Sequence, residues 1–166
     1  MLRWAVLECD GPVAVRYPKG GEGAFRGDGG AAGTCVLRPG RDITLLGYGG
    51  MIDQLLDCAQ RLEADGIDPE IIKLNAITPL DMEPILASVK KTGRLLCAEE
   101  AARSNSVGRR VAAALLEAGV SLRGLALADL GDGVVPQGAV DKLRQLRGLD
   151  GAHLHQKAQE VCGHGG

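Results

Sequence analysis

Aromatic side chains are almost missing from this 166-residue chain: Trp4, Tyr17, Phe25 and Tyr48 are the whole set, 2% of the sequence. Single-stranded nucleic acid is held by several rings stacked in series, and that platform cannot be assembled here. Positive charge is not in excess either. Nineteen Lys and Arg stand against 21 Asp and Glu, a formal charge of −2, so no global field exists to hold a phosphate backbone or an anionic bilayer. No uncharged apolar run approaches the ~18 residues of a membrane span, and the first residues lack the basic flank and apolar stretch of a secretory leader. The five cysteines, Cys9, Cys35, Cys58, Cys97 and Cys162, are odd in number and contain no C-x-x-C pair. A disulfide framework is therefore not expected, and a reducing cytoplasm is the simplest setting. Neither nucleic acid nor membrane is an expected partner.

What is present points to a compact α/β unit. Hydrophobic residues make up 45% of the chain, and a chain of this length can bury about two-thirds of its unfolded surface. With so few rings the core must be aliphatic. From Thr34 onward, strand-length apolar runs alternate with segments of helical period. Cys35-Val36-Leu37, Ile43-Thr44-Leu45-Leu46, Ile71-Ile72-Lys73-Leu74, Leu95-Leu96-Cys97-Ala98 and Leu125-Ala126-Leu127 read as strands, several apolar on both faces, as in a sheet covered on both sides. Between them, Ile52, Leu55, Leu56, Ala59 and Leu62 share one helical stripe that Gly66 can end. Thr78-Pro79-Leu80-Asp81 carries a helix-start signal, with Leu80, Ile85, Leu86 and Val89 facing inward. Val107, Val111, Ala114, Leu115 and Ala118 form the next stripe, closed by Gly119. Val140, Leu143 and Leu146, then Leu154, Ala158 and Val161, give two final amphipathic segments.

Alternation of this kind implies right-handed crossovers and a three-layer α/β/α sandwich around a mostly parallel five-stranded sheet. The first two strands are separated only by Arg38-Pro39-Gly40-Arg41-Asp42, close enough for a hairpin, which predicts one antiparallel edge strand. Ahead of this domain, residues 1–19 hold a helix end, a Gly11-Pro12 turn and a short Val13-Ala14-Val15 run with nothing before it to pair with. They read as the tail of a preceding domain. Residues 20–33 contain seven glycines and no hydrophobic period, the pattern of a linker or loop. The domain itself is expected over 34–162, with 163–166 as a disordered tail.

Few residues stand out as chemistry. Arg16 ends the first apolar run beside Lys19 and flexible glycines, where a guanidinium can grip a phosphate bidentately. Tyr17, held extended by Pro18, reads as packing. Gly47-Tyr48-Gly49-Gly50 follows a strand and opens a helix, but Ile52 stands where a dinucleotide fingerprint needs its third glycine, leaving a tight turn. Glu99 and Glu100 fall at the carboxyl edge of a central strand, where α/β sheets place their sites. Adjacent side chains on an extended chain point apart, so a structural or subunit-contact role is expected. His153 and His155 do not share a helix face and read as solvated. Cys162 and His164 are too few ligands for zinc. Cys97, inside a strand, reads as a buried small hydrophobe.

Several segments in their order resemble the end of the 1-deoxyxylulose-5-phosphate synthase family: Gly11-Pro12-Val13-Ala14-Val15-Arg16-Tyr17-Pro18-Lys19-Gly20, Asp42-Ile43-Thr44-Leu45-Leu46-Gly47-Tyr48-Gly49, Thr78-Pro79-Leu80-Asp81, Glu99-Glu100 and Pro136-Gln137-Gly138. The resemblance implies a transketolase C-terminal-like domain at 34–162 and the end of a pyrimidine-binding domain at 1–19. It also implies a homodimeric parent enzyme that uses thiamine diphosphate and Mg to condense pyruvate with glyceraldehyde 3-phosphate, with release of carbon dioxide. That product feeds isoprenoid, thiamine and pyridoxal synthesis. Cofactor and metal belong to the other domains of such a parent, so this chain is expected to hold none, to have no catalytic residue and to be inactive alone. Arg16 matches the arginine that binds the substrate phosphate. The departures are Ala101 where a His is usual, Asn105-Ser106 in place of Gly-Gly, and Ala128 in place of Pro in a Leu-Pro-Asp pattern. Gly27-Asp28-Gly29 and Gly131-Asp132-Gly133 imitate a thiamine-enzyme metal motif without its downstream Asn, and read as turns. Related readings are the matching domain of a transketolase or of a 2-oxo acid dehydrogenase β subunit. A free-standing assembly module and a small-anion-binding regulatory domain come from different classes.

Overall fold

The computed structural model describes residues 2–17, 23–25 and 33–163. A short helix α1 (Leu2–Leu7) buries none of its residues. The remaining elements alternate: β1 (Thr34–Arg38), β2 (Ile43–Gly47), α2 (Met51–Ala64), β3 (Pro69–Leu74), α3 (Glu83–Thr92), β4 (Arg94–Ala98), a 3₁₀ turn at Arg103–Asn105, α4 (Val107–Glu117), β5 (Gly124–Ala128), α5 (Val140–Arg147) and α6 (Gly151–Cys162). The five strands form one sheet in the order β1-β3-β2-β4-β5. All neighbours are parallel except β1, which runs antiparallel to β3.

Alternation along the strands splits the core into two layers. Ile43, Leu45, Ile71 and Leu96 meet α2 and α6 on one face. Leu46, Ile72, Leu95 and Cys97 meet α3 and α4 on the other. A sheet apolar on both faces needs both layers of helices, and the three-layer sandwich follows. One polar group is buried between β2 and α3: the Thr44 hydroxyl lies 2.6 Å from that of Ser88 and 2.8 Å from that of Thr92. Each hydroxyl there finds a partner, as burial demands.

The antiparallel edge is present, but its partner differs from the expected one. β1 pairs with β3, not β2, so residues 39–42 make no hairpin. They arch over the start of β3, where the amides of Arg41 and Asp42 donate to the Asp68 carbonyl and the Asp42 carboxylate accepts from the Asp68 amide. A Cβ on Gly40 would fall 2.2 Å from the Pro69 carbonyl carbon, so glycine is required where the arch crosses the strand. β2 is fully buried and takes parallel partners on both sides, which leaves no edge for β1.

Two further expectations are corrected. α3 starts at Glu83, not at Thr78-Pro79: Asp81 accepts from the Glu83 amide as the chain enters the helix, and Pro84 stands in its first turn. α5 turns in only the middle of its apolar stripe, since Leu143 is half-buried. Val140 and Leu146 are 56% and 66% exposed, while the Arg144 side chain is only 16% exposed. Arg144 buries its stem and brings its charge to Glu100, 2.7 Å away.

Candidate functional site at the carboxyl edge of the sheet

From β2 the chain crosses through α2 to β3 on one side; from β4 it crosses through α4 to β5 on the other. The carboxyl ends of β2 and β4 therefore flank the topological switch point, where open α/β sheets leave a crevice. Tyr48 stands one residue past β2, and Glu99 one past β4.

Glu99 is 1% exposed and saturated with donors. Its carboxylate accepts from the Ser106 hydroxyl (2.5 Å), the Val107 amide (2.9 Å), the Gly108 amide (2.9 Å) and the Tyr48 hydroxyl (3.0 Å). Ser106 is the N-cap of α4 and accepts in turn from the Arg109 amide. A carboxylate at a helix N-terminus meets unpaired amides and the positive end of the helix dipole. Gly108 permits the approach, because a Cβ there would come within 2.9 Å of Cys97 Sγ. Burial, then the Glu99 charge and hydrogen bond, push the Tyr48 phenol well above its ordinary pKa, so it stays a donor. This carboxylate has its charge fully engaged in holding two loops together.

A second seam runs beside it. The Glu99 amide donates to the Ala128 carbonyl, Leu130 to Ala101, and Arg103 to Gly131, so the β4 and β5 pairing continues past the strands. Asp132 of Gly131-Asp132-Gly133 accepts from the Ser104 amide at 2.9 Å. Gly27-Asp28-Gly29 lies outside the described residues. Asp129 has a side chain only 3% exposed, accepting from the Gly131 amide (2.9 Å) and Arg103 Nε (3.4 Å).

Glu99 and Glu100 diverge as read from sequence: Glu100 accepts from Arg144 Nε at 2.7 Å, on the other side of the strand end. Arg16 is exposed, within electrostatic reach of the Tyr48 hydroxyl, where its charge partly offsets the upward pull on the phenol. Lys19 and Pro18 lie outside the described residues. Tyr17 is 75% exposed, contrary to the packing role expected of it. Cys97 is buried; desolvation first, then the charges of Glu99 and Asp129, raise its thiol pKa, so it is no nucleophile. The histidines are not merely solvated. His153 Nδ1 lies 2.6 Å from Asp150, the N-cap of α6, and His155 Nε2 lies 2.6 Å from Asp65. His164 is outside the described residues, and among those described no three His, Cys, Asp or Glu converge to hold a metal.

Tyr48 and Ser106 are the members that the sequence reading missed. Ser106 followed by an apolar-periodic run was an available N-cap signal. Tyr48 had no comparable mark, because its partner lies 51 residues away.

Fold and edge together define a three-layer α/β domain whose carboxyl-edge polar groups brace loops around the switch point. The chain belongs to the transketolase C-terminal domain family, whose model matches residues 33–154. Pyruvate dehydrogenase E1 component subunit beta of Staphylococcus epidermidis is 45% identical over 82 residues, 49% of this chain and 25% of that protein. The 1-deoxy-D-xylulose-5-phosphate synthase of Heliobacterium modesticaldum is 32% identical over 176 aligned positions, 98% of this chain and 26% of that protein. The chain spans about a quarter of the length of these relatives. Among solved structures, a chain described as "Split gene transketolase, inactive beta4 tetramer" superposes with a TM-score of 0.70 at 24% identity, covering 89% of this chain and 47% of that one. That likeness establishes the fold.

Proposed function

We propose that this chain is the C-terminal domain of a thiamine-diphosphate-dependent synthase of the 1-deoxyxylulose-5-phosphate synthase kind. In that reading the parent joins pyruvate to glyceraldehyde 3-phosphate with loss of carbon dioxide, in the cytoplasm and as a homodimer. Residues 1–19 end the preceding domain, and 20–33 link it to the domain at 34–162. The observation that carries the proposal is the alignment of 98% of the chain with the synthase relative, a span that takes in the Arg16 segment. In this reading Arg16, which is exposed and whose charge is felt at the Tyr48 phenol, supplies the guanidinium that receives the substrate phosphate.

The residues described do not fit the metal that accompanies thiamine diphosphate. No three metal-ligating side chains converge among them, and the Asp132 carboxylate of the metal-like triplet is taken by the Ser104 amide. No reaction step is assigned to this chain, and the cofactor is placed in other polypeptide of the parent. Calorimetric titration of the purified chain with thiamine diphosphate and magnesium is expected to give no binding heat; micromolar affinity would overturn the domain reading. In the complete enzyme, Arg16→Ala is expected to raise KM for glyceraldehyde 3-phosphate and leave that for pyruvate unchanged. An unchanged KM for the phosphorylated substrate removes Arg16 from its role.

A second reading is the matching domain of a 2-oxo acid dehydrogenase β subunit, favoured by the higher identity over the shorter 82-residue stretch. Product analysis with pyruvate and glyceraldehyde 3-phosphate separates the two.

A further inference from the structure

Residues 20–33 carry the glycine-rich pattern of a linker, yet three of them, Gly23, Ala24 and Phe25, are held against the domain by contacts of three different kinds. The first is a pair of charge-assisted hydrogen bonds. Asp53, in the first turn of α2, accepts from the Ala24 amide through Oδ2 at 3.0 Å and from the Phe25 amide through Oδ1 at 2.8 Å. Both carboxylate oxygens thus serve consecutive backbone donors, a stronger pairing than neutral groups would make. The second is a close approach: a Cβ on Gly23 would fall 1.8 Å from Asp53 Oδ2 and 2.9 Å from its Cγ. A side chain at position 23 could be accommodated only by swinging the carboxylate away, which breaks both bonds. The third is apolar. Phe25, the one phenylalanine of the chain, packs against the core layer that the sheet shares with α2 and α6. The Lys73 ammonium lies 5.2 Å from the centre of its ring, within cation–π range.

Bare glycine, paired amides and ring all point to one place. α2 leaves the carboxyl end of β2, and Lys73 of β3 pairs with Gly47, the last residue of β2. The three residues are therefore fastened at the carboxyl edge of the sheet, on the side covered by α2.

We propose that Gly23–Phe25 is a clip, a ligand of the domain carried by its own chain, which fastens the incoming polypeptide to the start of α2 and holds what precedes it at the carboxyl edge. The segment supplies two amides and a ring; the domain supplies a carboxylate and a cation. The clip does not depend on the function proposed above.

Amide hydrogen exchange on the 166-residue chain, resolved to single residues by NMR, tests it. The Ala24 and Phe25 amides are expected to exchange at least about tenfold more slowly than in an unstructured peptide, the scale of one charged hydrogen bond. Asp53→Ala should abolish that protection at both amides. Phe25→Ala, which leaves the carboxylate and both amides in place, should lower it at Ala24 as well, because the contacts act together. Gly23→Ala, which leaves α2 untouched, should release both amides, and it gives the readout if Asp53→Ala fails to fold. Amides in the middle of α2 should keep their protection in the Gly23 and Phe25 variants, which separates loss of the clip from loss of the helix. Free exchange of both amides in the unsubstituted chain, unchanged protection in any of the three folded variants, or equal loss in the middle of α2 would each overturn the proposal.

Discussion

The Tyr48 hydroxyl donates to the buried Glu99 carboxylate across 3.0 Å, and so ties the turn after β2 to the N-terminus of α4. Replacing Glu99 by Ala strands the Ser106 hydroxyl, two α4 amides and the phenol at once. Urea denaturation is expected to show a loss of about 3 kcal/mol for Glu99→Ala, and about 1 kcal/mol for Tyr48→Phe, which removes a single bond. Equal stability of Glu99→Ala and the parent would mean that the carboxylate is not the cap described.

Gly40 offers a steric test. Its substitution by Ala drives a methyl into the backbone of Pro69 and Glu70, at 2.2 and 2.4 Å, and neither atom can move without disturbing β3. A loss of about 2 kcal/mol or more is expected, the scale of forced overpacking. Gly66→Ala serves as a contrast, since nothing lies within 4 Å of its Cβ and only its left-handed φ of 80° is penalised.

Acid should act on Glu70. Burial alone would raise its pKa, but hydrogen bonds from Lys91, Ser88 and the Gly40 amide together hold it below the ordinary carboxylate value. A carboxyl depressed in the folded state stabilises the protein above its unfolded pKa, and that contribution disappears as pH falls through the folded value. Thermal melts of the parent should therefore lose stability on acidification through and below the usual Glu range. Glu70→Gln should be less stable near neutrality and show a shallower acid slope. Parallel pH profiles would remove Glu70 from this role.

Thiol labelling reads the burial of the cysteines. Cys58, Cys97 and Cys162 are buried, whereas Cys9 and Cys35 are partly exposed. Burial also pushes Cys58 up to about 12, which starves it of reactive thiolate. Iodoacetamide on the native protein is expected to modify Cys9 and Cys35 quickly and the other three only on unfolding, as peptide mass mapping would record. Rapid native labelling of Cys97 would contradict the packing of α4 on β4.

What the sequence disclosed followed from burial. Strands such as Ile43–Gly47 are covered on both faces, so their apolar runs were unmistakable, and with them came the layer architecture. Pairing was another matter. Nothing local in residues 39–42 says that β1 passes β2 to reach β3; that choice depends on β2 already having two parallel neighbours. α5 misled for a related reason: its apolar residues had the right spacing, but Arg144 had a partner in Glu100, 44 residues away. At the candidate site Glu99 was visible and its role as a brace was not, because four side-chain and backbone donors converge on it only in three dimensions.

The placement of β1 carries a cost for anyone trimming this chain. Thr34 to Arg38 sit along Leu74 to Ile71 and use up the outer row of peptide groups of that strand. A version starting at residue 39 would leave that row bare beside Ile71 and Ile72, an invitation to add a strand from a neighbouring molecule. Such a shortened protein is destined to assemble into aggregates even where each remaining segment folds.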